Sequence, residues 1–237
     1  AIPTLPSHDP AKYWFIAVSI IGAVIAPYLF YFYSSGCVED KWDESYVPVN
    51  RAVAVIGMGF GSVIALGAIV VAAMVLAPRG IGMSDYHQAA LMLTDALPFW
   101  GYVLFAVSMG IACLGAALEV ALSLAYSTAQ TFGWNWGEDL DPKFDARFSL
   151  VYTVGIAIAT MIIALGVDPL KLTLLTMALN AAVLPFVVLP FLLLMNDRKL
   201  LGKHANGFIS NAVVIVLTVV AFVLAIVSIP LTIAGGS

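Results

Sequence analysis

Six long apolar stretches dominate this sequence of 237 residues and limit what it can fold into. Hydrophobic residues make up 62% of the chain and charged residues only 10%, and the mean hydropathy is +1.02. Soluble domains contain roughly 45–50% apolar and about 25% charged residues. The composition therefore excludes a water-soluble enzyme or nucleic-acid-binding protein and predicts an integral membrane protein.

Each apolar stretch is long enough to cross a bilayer, which takes about 20 residues per helix. Because backbone groups must satisfy their own hydrogen bonds in lipid, we expect an all-α protein with six transmembrane helices in one membrane domain, residues 1–237. The third stretch exceeds one span, so we expect its helix either to continue beyond the hydrocarbon or to tilt. Residues 85–93 predict a short interfacial helix capped by Ser84. The predicted spans are 13–35, 52–77, 97–132, 148–167, 170–195 and 208–233.

Basic residues fall unevenly between the two sides of the predicted bundle. The connectors after spans one, three and five hold seven of the 10 Lys and Arg residues, which places these connectors in the cytoplasm. Both ends of the chain then face outward. Because the sequence opens at Ala1 without the features of a signal peptide, we expect it to be a piece of a longer protein with further spans upstream.

The first span contains a helix-breaking element near its middle. Pro27 lacks an N–H group and its ring clashes with the carbonyl four residues earlier, so carbonyls around Ala23 are predicted to lose their helical partners. Free carbonyls at membrane depth face protein or a wet cavity, where they can coordinate a cation. Broken helices of this kind are typical of secondary transporters, although a simple proline kink explains the same residues.

The fifth span carries a polar stripe in an otherwise apolar run. Thr173, Thr176 and Asn180 recur at spacings of three and four residues and so share one helix face. Such a stripe either forms hydrogen bonds to neighbouring helices or lines a solute path. Pro185 and Pro190 follow and predict a bend.

Glu119 is an ionisable residue well inside a predicted span, the third. Placing a carboxylate in the hydrocarbon costs several kcal/mol of free energy, so its side chain is expected to face the interior of the bundle. Two interpretations stay open: a residue of a proton or ion path, and a structural carboxyl group bonded to a neighbouring hydroxyl.

Two motifs resemble those of the NRAMP (natural resistance-associated macrophage protein) divalent-metal transporters. Residues 22–34, GAVIAPYLFYFYS, resemble that family's sixth-helix signature, which usually reads Gly-Ala-x-x-Met-Pro-His-x-x-Tyr-x-His-Ser. Residues 184–191, LPFVVLPF, followed by NDRKLLG at 196–202 and by Asn206, resemble its tenth helix and the loop beyond. The similarity in spacing extends over nearly the whole chain, which would then correspond to helices six to eleven.

The resemblance implies a LeuT-like fold of two inverted five-helix repeats. This chain would supply the second repeat plus one extra helix. In the family, the metal ion lies between unwound parts of the first and sixth helices, where an Asp and an Asn of the first helix hold it. That helix is absent from this sequence, so the resemblance implies a missing N-terminal repeat as partner.

The departures from the family pattern are informative about the ion. By resemblance, the carbonyl of Ala23 would bind the metal ion, and Ala26 stands where the family has a thioether Met. Tyr28 and Tyr33 replace two histidines that are linked with proton movement in the family. Met177 replaces a Gln of the family's tenth helix. Loss of the soft sulfur relaxes selection against hard ions. Loss of the histidines removes groups that titrate near neutral pH. The chain is similar in these respects to the NRAMP-related magnesium transporters.

The sequence thus predicts a secondary transporter of divalent metal cations in a bacterial plasma membrane, admitting Mg²⁺ or Mn²⁺ with weak or no proton coupling. We expect it not to be an enzyme and to need no cofactor, since the metal ion is its substrate. Its expected contacts are with membrane lipid and not with nucleic acid. A carrier of amino acids or other organic solutes and a non-transporting scaffold are the alternatives. The predicted substrate-binding residues are Ala23, Ala26, Pro27, Tyr28, Thr176, Met177 and Asn180, with Glu119 and Tyr33 on a proton or ion path.

Overall fold

The computed structural model describes residues 10–82, 85–141 and 143–234, which form helices joined by short turns. The predicted all-α class is confirmed. Single 3₁₀ turns lie at Glu44–Tyr46, Ala77–Arg79 and Gly202–His204. The α-helices are α1 (Pro10–Val24), α2 (Tyr28–Glu39), α3 (Val47–Val75), α4 (Tyr86–Thr94), α5 (Pro98–Phe132), α6 (Ala146–Ala164), α7 (Pro169–Asn196), α8 (Arg198–Leu201) and α9 (Phe208–Ala234).

Five helical segments of the described chain are long and apolar enough to cross a membrane. A sixth is added when Arg198–His204 and Phe208–Val220, which meet at an angle of 111°, are counted as one span. The predicted number of six spans agrees with the upper count. The five segments are Lys12–Glu39, Glu44–Arg79, Pro98–Phe132, Ala146–Ala164 and Pro169–Asn196.

The over-long third stretch is a single helix, α5, of 35 residues. At 1.5 Å per residue it is about 52 Å long, against about 30 Å for the hydrocarbon core. Its length exceeds the thickness of the hydrocarbon core, which is the condition on which the predicted extension or tilt depends. Gly133, in the left-handed conformation at φ 65°, ends it.

The predicted short helix before α5 is present as α4. Its N-cap is Asp85, whose side chain accepts a hydrogen bond from the backbone N–H of His87, while Gln88 completes a capping box. The predicted cap, Ser84, lies outside the described residues. Asp95, after the last residue of α4, pairs with Arg79.

The chain divides into two compact units. The first contains α1, the start of α2, the end of α6, and α7 to α9; there α1 packs against α7 and α9. Its core consists of two small clusters, one around Val18 and Ala178 and one around Leu184 and Val188. The second unit is Phe32–Thr160, and the fully buried ring of Tyr126 lies at the centre of its aromatic core.

Helix α7 begins at a well-formed cap. Asp168 accepts hydrogen bonds from the backbone N–H groups of Leu170 and Lys171, which satisfies donors that the first turn leaves unpaired. The helix then continues through Pro185 and Pro190 to Asn196.

Candidate functional site

The first membrane-spanning segment is interrupted where the sequence predicts it. Helix α1 ends at Val24 and α2 begins at Tyr28, so residues 25–27 separate two helices of one apolar segment. The backbone hydrogen bonds that flank the break run from Ile25 N to the carbonyl oxygen of Ile21, from Leu29 N to that of Ala26, and from Phe30 N to that of Pro27. None of these three bonds uses a carbonyl of residues 22–24.

Proline chemistry accounts for the break. An uninterrupted helix would pair the Ala23 carbonyl with the N–H of residue 27, but Pro27 has no N–H to donate. Ala23 is exposed, whereas Ala26 and Pro27 are buried within the first unit. The segment therefore carries an acceptor oxygen at Ala23 that the helix itself cannot satisfy at the usual position.

Two residues of α1 bring it into close contact with α7 just before the break. A Cβ atom on Gly22 would lie 1.8 Å from the Met177 carbonyl oxygen, which no real atom can do. One turn earlier, the buried Ser19 hydroxyl lies 3.0 Å from the Leu174 carbonyl oxygen. The backbone of Gly22 therefore rests directly on the backbone of α7, one residue before Ala23.

The predicted residues Thr176, Met177 and Asn180 lie on α7, the helix that packs against α1. Met177 meets α1 through its backbone at Gly22. Thr173 and Thr176 donate their hydroxyl hydrogens within α7, to the carbonyls of Pro169 and Thr173 at 2.7 Å and 2.9 Å. Asn180 is half-buried and Thr176 is exposed. Since the Thr176 hydroxyl proton serves the helix itself, its oxygen lone pairs are what this side chain can offer to a solute.

A small apolar cavity lies on one side of the break. It has a volume of about 130 Å³ and is lined by side chains such as Ile25, Phe30, Leu184 and Val188. Its walls are almost wholly apolar, so it offers an ion few oxygen ligands. Within the described ranges, no group of three or more His, Cys, Asp or Glu side chains is placed to hold a metal ion.

The two residues predicted for a proton or ion path lie in the second unit. Glu119 is half-buried on α5. Tyr33 is 61% exposed on α2. Their roles stay predictions.

A cluster of hydrogen-bonded side chains at the end of α2 is not among the features predicted from the sequence. The hydroxyl of the buried Tyr126 lies 2.5 Å from Glu39 Oε2 and 2.9 Å from Glu138 Oε1. The signals available were the acidic end of the first span and the Gly-Glu-Asp run at 137–139. Neither indicates which distant residue it contacts.

Comparison with known families identifies the chain. Residues 1–230 match the family model described as natural resistance-associated macrophage protein-like, Nramp. The chain belongs to the NRAMP family. The resemblance drawn from residues 22–34 and 184–206 is confirmed, and the alternative of an organic-solute carrier is not favoured.

Curated NRAMP relatives are similar over most of this chain. One named divalent metal cation transporter MntH, from Clostridium acetobutylicum, is 25% identical, with 92% of this chain and 51% of the relative covered. Proteins of the same name from Caldanaerobacter subterraneus and Aeromonas hydrophila are 24% and 23% identical, over 86% and 89% of this chain and 47% and 50% of the relatives. This NRAMP chain spans about half the length of the curated relatives it matches.

Membership of NRAMP agrees with the apolar helices described above. The chain is a multi-pass integral membrane protein, and the organisms of its relatives are consistent with the predicted bacterial origin.

Proposed function

We propose that this chain is the second repeat, with one extra helix, of a LeuT-like secondary transporter of divalent metal cations. A first repeat, carrying its own interrupted helix, would complete the site and provide the side-chain ligands. The observation that supports the proposal most is the break at residues 25–27, in the segment that matches the NRAMP signature.

The chemistry of the break suits a hard cation. Next to the break the chain offers backbone oxygens, at Ala23 above all, and Mg²⁺ and Mn²⁺ accept carbonyl and water oxygens. The partial negative charge at the carboxyl end of α1 adds to the attraction. The substrate-binding residues of this half would be Ala23, Ala26, Pro27, Tyr28, Thr176, Met177 and Asn180.

The ion selectivity follows from Ala26. A methyl group offers no soft ligand, so we infer a relaxed filter that admits Mg²⁺ as well as Mn²⁺. Tyr28 and Tyr33 stand in place of the two histidines of the NRAMP signature, so the imidazole groups linked there with proton movement are absent at these positions. Transport with weak or no proton coupling is the consequence.

Uptake into liposomes tests this function. The protein to reconstitute is the transporter that contains this chain and its first repeat. We expect Mg²⁺ and Mn²⁺ to enter without strong acidification of the lumen, as read by a trapped pH dye. Exclusion of Mg²⁺ and Ca²⁺, together with entry of Fe²⁺ or Cd²⁺ accompanied by protons, would contradict the relaxed filter.

Ala26→Met tests the filter at a single position. A thioether beside the ion favours Cd²⁺ over Mg²⁺, so we expect the ratio of Cd²⁺ to Mg²⁺ uptake to rise roughly tenfold. Ala26→Leu is the matched control, because leucine adds similar volume without sulfur and Ala26 is only 5% exposed. An equal change of the ratio in both variants would mean that bulk rather than sulfur sets the selectivity.

A further inference from the structure

The end of α2 is tied to α5 by two side-chain hydrogen bonds one turn apart. Gln130 Nε2 donates to Ser35 Oγ at 2.8 Å, and the Tyr126 hydroxyl donates to Glu39 Oε2. The residue numbers rise along α2 and fall along α5, so the helices run antiparallel here. Both bonds lie within the second unit, and Ser35 is buried.

The carboxylate of Glu39 is held on its other side by backbone. Its Oε1 accepts hydrogen bonds from the N–H groups of Glu138, at 2.5 Å, and of Asp139, at 3.2 Å. Gly137 permits this approach, because it has a φ of 149° and a Cβ there would lie 2.8 Å from the same oxygen. Glu39 therefore joins three parts of the chain: the end of α2, the last two turns of α5, and the connector after α5.

Tyr126 is fixed in this arrangement by its ring. The side chain is fully buried, and its ring packs against Phe148 and Trp136 at centroid distances of 5.2 Å and 5.7 Å. Because the hydroxyl has one proton, it can serve only one carboxylate at a time. Glu39, which the two backbone N–H groups orient, is the better-placed acceptor than Glu138.

We propose that Tyr126 and Glu39 form a positioning pair for α2. This inference rests on the proposed function, in which α2 is the half of the interrupted helix that follows the ion site. By fixing the far end of α2, the pair controls how readily this helix moves when the transporter changes state. Neither residue touches the ion in this proposal, so losing the pair changes turnover and leaves apparent ion affinity unaltered.

Tyr126→Phe is the test variant, because it removes one hydroxyl and leaves the buried ring in place. The readout is Cys37, two residues before Glu39 on α2, in a background where Cys113 and any cysteines of the first repeat are serine. We expect a roughly tenfold rise in the rate at which a water-soluble maleimide modifies Cys37, the size associated with losing one hydrogen bond to a charged group. The maximal rate of Mn²⁺ uptake should also change roughly tenfold, while the KM for Mn²⁺ should stay within about twofold of its value in the unmodified protein.

Two controls make the result specific. Tyr102→Phe removes another α5 hydroxyl, which contacts His87 at 3.1 Å in the exposed part of the helix, and should alter neither readout. Glu39→Gln keeps an oxygen that accepts from the backbone N–H groups and an amide group that can bond to the tyrosine. Its Cys37 modification rate and Mn²⁺ uptake should therefore be closer to those of the unmodified protein than the values for Glu39→Leu.

The outcomes separate the two proposals. An unchanged Cys37 rate in Tyr126→Phe, or an equal rise in Tyr102→Phe, overturns the positioning pair, as does a change in KM alone. Because Cys37 labelling needs no transport, a lack of metal uptake by the unmodified protein overturns the proposed function instead.

Discussion

Gly22→Ala is expected to disrupt the first unit far more than the same substitution at Gly57 disrupts α3. The new Cβ would lie 1.8 Å from the carbonyl oxygen and 2.9 Å from the carbonyl carbon of Met177. These are backbone atoms, which cannot move aside as the end of a flexible side chain can. Helices α1 and α7 would have to separate, and the Ser19 contact with Leu174 would be lost with them.

The expected cost is on the order of 3 kcal/mol or more in free energy of unfolding, at the upper end of what overpacking causes. Thermal unfolding of the purified transporter in detergent measures it. Gly57→Ala on α3 is the matched control, since a Cβ there meets nothing within 4 Å. That change should stay within about 1 kcal/mol. Equal melting temperatures for the two variants would show that α1 and α7 do not approach as described.

Pro27→Ala is expected to abolish most ion uptake without destabilising the protein. Alanine restores an N–H at position 27 and removes the ring, so the Ala23 carbonyl regains a partner and α1 can join α2. A continuous helix through position 27 would no longer carry the roughly 3 kcal/mol that an interior proline costs, so the melting temperature should be equal or higher. We expect Mg²⁺ and Mn²⁺ uptake to fall by roughly a hundredfold, as for loss of a ligand worth about 3 kcal/mol.

The control for this variant is another proline in a helix that the structure leaves uninterrupted. Pro230 lies inside α9, and Pro230→Ala should leave uptake within about twofold. If Pro27→Ala is folded and transports at the normal rate, the break has no role in ion binding.

Local sequence chemistry predicted the parts of this structure that depend on local forces. Pro27 predicted the break because a missing N–H acts on the carbonyl four residues away. The spans followed from apolar length, because a helix needs about 20 apolar residues to cross the hydrocarbon.

Contacts between distant residues were not predictable in this way. Tyr126 and Glu39 are 87 residues apart, and no periodicity links them. The meeting of Gly22 with Met177 depends on how two helices pack, which small size alone does not specify. The polar stripe on α7 was predicted, but the structure shows that Thr173 and Thr176 donate within their own helix.

The most direct test of the central claim is whether a backbone oxygen at the break binds the ion. The transporter that contains this chain can be labelled with ¹³C at alanine carbonyls and loaded with Mn²⁺, and electron–nuclear double resonance then measures the coupling between them. We predict a ¹³C coupling that weakens in Ala23→Ser, which keeps the carbonyl but loses the label. A spectrum without ¹³C coupling, or one that Ala23→Ser leaves unchanged, would contradict ligation by the Ala23 carbonyl.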